Sequence, residues 1–401
     1  MAPLNRKALD LAWLLMPLDR EQFFSRNWEQ QHLHLSDRPA SYYQQLLGAE
    51  ALENILNTAD LRYPALQLAK DGHYFAPESY TRDIKHGSES FTGVPDLERV
   101  AAEYRKGATL SLPALHRTWP ALGALCATLE SQLDHAVHAN AYLTPGNASG
   151  FTPHYDVHEV FVLQIAGHKR WSLYEPPLHL PHRSQPFNPL GYQPGAPIAT
   201  LDLSPGDLLY LPRGYVHSTT TSESFSAHVT VGVSVYTWVD LLREYLQSAA
   251  EQPGLRRALP PGFAHQPELK ASLRHGLAAA LGNLGAPADP DHLLESFTRR
   301  VRAGQARRPE RLRIDTRVIE LHTRLRVPAR SSYQIVLEDG RTLLQFQNIR
   351  YVLPTEVAPL LQAIAARASF TPIELPGELD EAARLGVSRY LHEIGFLTAE
   401  R

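Results

Sequence analysis

Apolar residues along this chain recur in two rhythms, which change over near residue 135 and again near 240. The first hundred residues mix short helical patterns with strand-like pieces such as Leu66-Gln67-Leu68 and run out at the turn-rich Gly93-Val94-Pro95. Leu122, Leu125, Leu129 and Leu133 share one helical face and predict a helix over 119–134. From about 135 to 240 the pattern becomes short β-type runs broken by Gly and Pro: Val137–Leu143, Val160–Ile165, Arg170–Tyr174, Asp207–Leu211 and His228–Val235. Many short strands separated by turns favour a sandwich or barrel over a parallel α/β sheet. Residues 240–303 turn helical, with interruptions at Pro260-Pro261-Gly262 and near Gly285–Pro290. Residues 311–401 carry strands at Tyr333–Leu337 and Thr342–Phe346, a turn at Asp339-Gly340 and two helical patterns. The expected class is therefore α+β with a β-rich centre.

Composition narrows the function. A chain of 401 residues exceeds one core, so two or three domains are expected. A net charge of -3 argues against a general nucleic-acid binder or a membrane-surface protein. A single cysteine, Cys126, excludes an intramolecular disulfide and a Cys-rich zinc site, and it fits a reducing cytoplasm, the expected location. No apolar run reaches the roughly 18 residues that span a bilayer. Leu9–Leu18 is broken by Asp10 and lacks a small-residue cleavage site before Phe23-Phe24, so it reads as a helix rather than a signal peptide. Only six of the 39 basic residues are lysines, which makes each lysine informative. The stretch 299–330 holds 11 arginines against Glu310, Asp315 and Glu320; it reads as a solvated linker and helix surface, with docking of an acidic or RNA-bearing partner as the alternative.

Candidate chemistry lies in the β-rich centre. Pro153-His154-Tyr155-Asp156 sets two metal-ligand types two residues apart, and on a strand such residues share a face. A third comes from Gly206-Asp207-Leu208-Leu209-Tyr210-Leu211-Pro212-Arg213-Gly214-Tyr215-Val216-His217. Two imidazoles and one carboxylate make a facial triad, leaving open positions on an octahedral ion, as non-haem iron(II) requires. His217 is expected to be half-exposed. His158, His168, His179, His182 and His228 are rival ligands, His158 because it follows Asp156 by two.

The glycine, proline, glycine and histidine spacing of 206–217 resembles the second motif of the cupin superfamily. The H-x-D at His154 and Asp156 departs from the simple cupin pattern and matches the JmjC branch. Gly150-Phe151-Thr152-Pro153-His154-Tyr155-Asp156, Val160-Phe161-Val162-Leu163-Gln164 and Gly167-His168-Lys169-Arg170-Trp171 together resemble the ribosomal oxygenases, JmjC-type hydroxylases of ribosomal-protein side chains. The resemblance implies Fe(II), 2-oxoglutarate as cosubstrate and O2. It puts Lys169 on the 2-oxoglutarate carboxylate, assisted by Asn140 and Tyr142, because a buried anion needs a cation. Phe23-Phe24, Trp28-Glu29 and His32–Leu35 look like the family's N-terminal segment.

The resemblance also implies the organisation: a JmjC/cupin catalytic domain over 1–240 with its double-stranded β-helix (jelly-roll) core at about 93–240, a helical dimerisation domain over 241–310, and a winged-helix domain over 311–401. It implies a homodimer, a ribosomal-protein segment as substrate, and no direct DNA reading or membrane binding. The arginine-hydroxylating branch has arginine where Lys169 stands, whereas the branch with lysine hydroxylates histidine; the expectation leans to histidine. Two alternatives stay open. One is an oxygenase acting on another peptide, a methylated side chain or a small molecule, and the other is a non-catalytic winged-helix binding protein.

Overall fold

The computed structural model of the chain describes residues 9–58, 61–250, 252–284, 289–306, 318–328, 333–338, 340–346 and 349–400. The chain divides into two compact units, Leu14–Gly304 and Gln305–Arg401, the latter grouped with Met1–Trp13.

In chain order the strands of the larger unit are β1 (Leu33–Leu35), β2 (Gln67–Lys70), β3 (His73–Tyr74), β4 (Thr81–His86), β5 (Glu89–Pro95), β6 (Thr109–Leu112), β7 (Ala136–Thr144), β8 (Glu159–Gly167), β9 (Lys169–Tyr174), β10 (Ala199–Leu203), β11 (Leu208–Leu211), β12 (Val216–Thr220) and β13 (Ser226–Ser234). The major sheet runs β1-β11-β8-β13-β7-β6-β2-β3 and the minor sheet β10-β9-β12, with β4-β5 a separate hairpin. From β8 onward the chain passes between the two sheets. Val160, Val162, Leu209 and Leu211 of the major sheet bury one cluster with Trp171, Leu173 and Leu203 of the minor sheet. The sheets therefore pack face to face as a double-stranded β-helix.

Burial explains the sequence texture. β8 is central, so Glu159–Ile165 is buried on both faces and its apolar run Val160–Leu163 shows no alternation. β7 alternates: Val137, Ala139 and Ala141 turn one way, while His138, Asn140, Tyr142 and Thr144 turn into the barrel. The anticipated helix forms at Pro120–Leu133, buries Leu122, Leu125 and Leu129, and packs on β7. It is α5, after α1 (Leu11–Leu15), α2 (Arg20–Arg26), α3 (Ala49–Thr58) and α4 (Leu97–Arg105). The 240–303 region forms α6 (Trp238–Ala249), α7 (Lys270–Leu284) and α8 (Pro290–Ala306).

In the smaller unit, β14 (Leu325–Arg326) pairs with β18 (Thr398–Ala399). A sheet of β15 (Tyr333–Glu338), β16 (Arg341–Phe346) and β17 (Ile349–Pro354) accompanies helices α9 (Ala358–Ala366) and α10 (Glu381–Glu393). Leu344, Phe346, Leu360, Ile364, Leu391 and Phe396 belong to its core. Asp339 of the expected turn, residues 285–288, and residues 307–317 and 329–330 of the arginine-rich stretch lie outside the described residues. Among the described residues no helix is long and apolar enough to cross a membrane.

Candidate metal centre and anion pocket

The ligand atoms of His154, Asp156 and His217 all lie within 4.8 Å of one another. Backbone pairing brings them together. His154 N–H donates to the His217 carbonyl at 3.2 Å, and His217 N–H donates back at 2.9 Å, an isolated antiparallel bridge that adds a fourth row beside β12. The expected strand through His154 and Asp156 is therefore one bridge long. The ladder stops because the residue opposite Asp156 would fall in the turn before β12, and Gly214 N–H reaches the Asp156 carbonyl instead, at 3.0 Å. Gly214 has φ +92, and a Cβ there would sit 2.6 Å from the Leu178 carbonyl oxygen, so this turn needs glycine.

Each imidazole has one nitrogen committed. His154 Nδ1 lies 2.8 Å from the Thr152 carbonyl and His217 Nδ1 lies 3.1 Å from that of Tyr215. A carbonyl only accepts, so both rings carry the proton on Nδ1 and present Nε2 as a ligand. Burial, with His154 adding to it, pushes His217 down to about 4. Burial alone would raise Asp156, but His158, His217, His154 and His138 together outweigh it and hold the carboxyl below its ordinary value. At neutral pH His217 is neutral and Asp156 ionised, the states a divalent cation requires. His217 is 6% exposed rather than half-exposed, because the Trp171 ring packs 5.5 Å from it.

Lys169 opens β9 and shares its inward face with Trp171 and Leu173, whereas Arg170 turns outward to a bidentate pair with Asp202. The Lys169 side chain is buried, and Nζ donates to Thr144 Oγ1 at 3.0 Å; that hydroxyl lies 3.0 Å from Thr109 Oγ1. Among the described residues no carboxylate is within ion-pair distance of it, and burial pushes its pKa down to about 7. A buried ammonium with one neutral partner suits an anionic ligand.

Asn140 and Tyr142 lie on the same face of β7 as Thr144. The Tyr142 hydroxyl is raised chiefly by burial, with the Asn140 and Thr230 side chains acting against the shift. Asn140 Oδ1 accepts from Ala114 N–H at 2.9 Å, which fixes the amide with its NH2 remaining as a donor. His228 had only been a rival ligand, yet it is stacked on Tyr142 at 5.1 Å and meets Trp171 edge-on at 5.6 Å. Burial and then Lys169 hold it well below its ordinary pKa, so it lines the pocket neutral. Its signal was the alternation of His228, Thr230 and Gly232, which shares a face with Tyr142 in the register.

The other rivals lie elsewhere. His158 meets His138 edge-on at 4.9 Å, and Gly232 makes room for that pair, since a Cβ there would lie 2.4 Å from the His138 ring. His168 is near Ser204, His179 is exposed, and His182 sits beside Ser184 and Asp240.

Residues 116–241 match the JmjC domain. Ribosomal oxygenase 1 of Bos taurus is 31% identical over 271 residues, covering 65% of this chain and 39% of that protein. The bifunctional lysine-specific demethylase and histidyl-hydroxylase NO66 of Aedes aegypti is 32% identical over 260 residues, covering 62% of this chain and 39% of that protein. The chain thus spans less than half the length of these curated relatives. Among solved structures, the X-ray structure of E. coli ycfD aligns over 96% of this chain and 98% of that one, with a TM-score of 0.52 and 17% identity, a likeness of fold.

Proposed function

We infer from its JmjC domain, which is of the ribosomal-oxygenase family, that this chain is an iron(II)- and 2-oxoglutarate-dependent oxygenase that hydroxylates a side chain of a ribosomal protein. The observation that carries this reading is the meeting, in one barrel, of a two-His, one-carboxylate donor set with a buried lysine that has no carboxylate partner among the described residues. His154 and His217 through Nε2, and Asp156 through its carboxylate, would hold iron(II). Lys169 would hold the distal carboxylate of 2-oxoglutarate, with Thr144 orienting the ammonium and Asn140 and Tyr142 offering donors from β7.

When bound, iron and 2-oxoglutarate together activate O2 for C–H hydroxylation, with succinate and CO2 as the other products. The protein's part is placement and exclusion of water. The His154–His217 bridge orients both imidazoles, and the Trp171 ring packs against His217 and His228.

Histidine is the favoured target over arginine. Lys169 stands where the histidine-hydroxylating branch carries lysine, and the NO66 relatives are named histidyl-hydroxylases. That same name includes a lysine-specific demethylase, so removal of an N-methyl group by hydroxylation is the second reading. The exposed Trp238, Leu242 and Leu246 of α6 support 241–310 as a dimerisation domain. The sheet β15-β16-β17 with α9 and α10 supports a winged helix over 311–401, one that does not read DNA. The cytoplasm is the proposed location.

Incubation with iron(II), 2-oxoglutarate and a panel of ribosomal-protein peptides tests the reading by tandem mass spectrometry. One oxygen added to a histidine is expected. Oxygen on arginine would reassign the target, and no oxidised peptide beside robust turnover of another substrate would reject the ribosomal reading.

A further inference from the structure

The three ligands hang from two stretches of chain that leave the same end of the major sheet. Asp156 lies just before Glu159, which opens β8, and His217 lies just after Arg213, in the turn that follows β11. β8 and β11 are antiparallel neighbours with Leu211 opposite Val160, so the start of one adjoins the end of the other. At that junction Arg213 Nη1 donates to Glu159 Oε1 at 2.6 Å. Glu159 is 0% exposed and Arg213 6%. The Tyr210 hydroxyl donates to the other Glu159 oxygen, and Glu29 accepts from the same guanidinium nitrogen. The Glu29 backbone N–H donates to Tyr210 Oη at 3.0 Å.

We propose that the buried Arg213–Glu159 ion pair is a clamp that sets the separation of Asp156 from His217, which makes both partners positioning residues for the metal. The proposal rests on the metal assignment made above. Between the His154 bridge and the start of β8, among the described residues, a single backbone bond ties the two stretches, Gly214 N–H to the Asp156 carbonyl. The Asp156 carboxylate therefore depends on something beyond the ladder for its position. Arg213 Nη1 alone meets both carboxylates while the Tyr210 hydroxyl holds the second Glu159 oxygen, so Glu159 is held from two directions. Stability alone does not account for the pair, because buried ion pairs replaced by apolar residues of similar volume often leave stability unchanged or higher. Metal affinity, by contrast, is sensitive to the groups that orient the ligands, by roughly 10–100-fold.

The experiment titrates Co(II) alone into wild type, Arg213→Lys, the double variant Glu159→Gln/Arg213→Met and the control Asp202→Asn, which breaks an exposed ion pair away from the site. Calorimetry gives the affinity, visible absorption reports the coordination geometry, and circular dichroism checks folding. The double variant should fold, bind Co(II) roughly 10–100-fold more weakly and show an altered spectrum. Arg213→Lys, which keeps the charge but shortens the reach to the two carboxylates, should fall between it and wild type, and Asp202→Asn should match wild type. Wild-type affinity and spectrum in both clamp variants would overturn the clamp while sparing the metal assignment. If the double variant fails to fold, Arg213→Lys decides alone, and wild-type binding there overturns the clamp. A wild-type protein that takes no Co(II) would overturn the metal assignment and the clamp with it.

Discussion

His154 and His217 exchange both of their backbone hydrogen bonds, so each imidazole of the donor set is positioned by the other's peptide group. The candidate metal centre is thus attached to the edge of the minor sheet rather than carried on free loops. Pro153, which cannot donate, precedes the bridge on an outer row, where no further strand pairs among the described residues.

Replacement of His217 by Ala should abolish metal binding and 2-oxoglutarate turnover. Because the ring is buried against Trp171, the variant should also lose about 1–3 kcal/mol of stability. Calorimetric metal titration and thermal melts check the two effects separately. Full turnover by this variant contradicts the donor set.

Lys169→Ala removes the buried cation proposed to hold the distal carboxylate of 2-oxoglutarate. A charge-assisted contact of this kind is worth a few kcal/mol, so the 2-oxoglutarate requirement should rise by roughly one to three orders of magnitude. Steady-state kinetics with varied 2-oxoglutarate measures it. An apparent KM within about twofold of wild type would mean the wrong cation has been assigned.

The pH dependence follows from the same residue. Burial lowers Lys169 from 10.5 to about 7 in the free protein. Between those values the unfolded chain binds a proton that the folded chain does not, so this group makes the ligand-free protein more stable as pH rises through that window. Anion binding reverses the preference by favouring the ammonium. Affinity for 2-oxoglutarate should therefore be level below pH about 7 and fall by up to about tenfold per pH unit above it. Calorimetry across that range checks the slope, and an affinity that rises with pH contradicts it.

Much of the barrel was legible because its strands are locally apolar. The apolar run Val160–Leu163 is continuous since β8 is covered on both faces. The His154 and Asp156 pair was legible from spacing, and His217 from the glycine and proline turn before it. Other strands carried no such signal. β12 is Val-His-Ser-Thr-Thr, β10 is Ala-Thr-Leu-Asp-Leu, and the β4–β5 hairpin is largely exposed, so none of the three stands out as an apolar strand run. The place of His228 depends on its register against Tyr142, and the Glu29–Arg213–Glu159 network joins segments far apart in sequence. Local periodicity puts His228 on one face with Thr230 and Gly232 but does not say which strand that face meets, and it carries no information about the network.

The exposed Trp238, Leu242 and Leu246 of α6 should be covered by a second copy of the chain. Light scattering at micromolar concentration should give about twice the 44.8 kDa of one chain, and Leu242→Glu should shift the population toward monomer. A wild-type mass near that of a single chain refutes the dimer.

The most direct test of the hydroxylase reading is intact-mass comparison of ribosomal proteins from cells with and without this gene. One ribosomal protein should be heavier by a single oxygen when the gene is present, and the shift should vanish when only the His217→Ala form is supplied. Identical masses in the two strains, with the wild-type protein present and loaded with iron, would contradict the account.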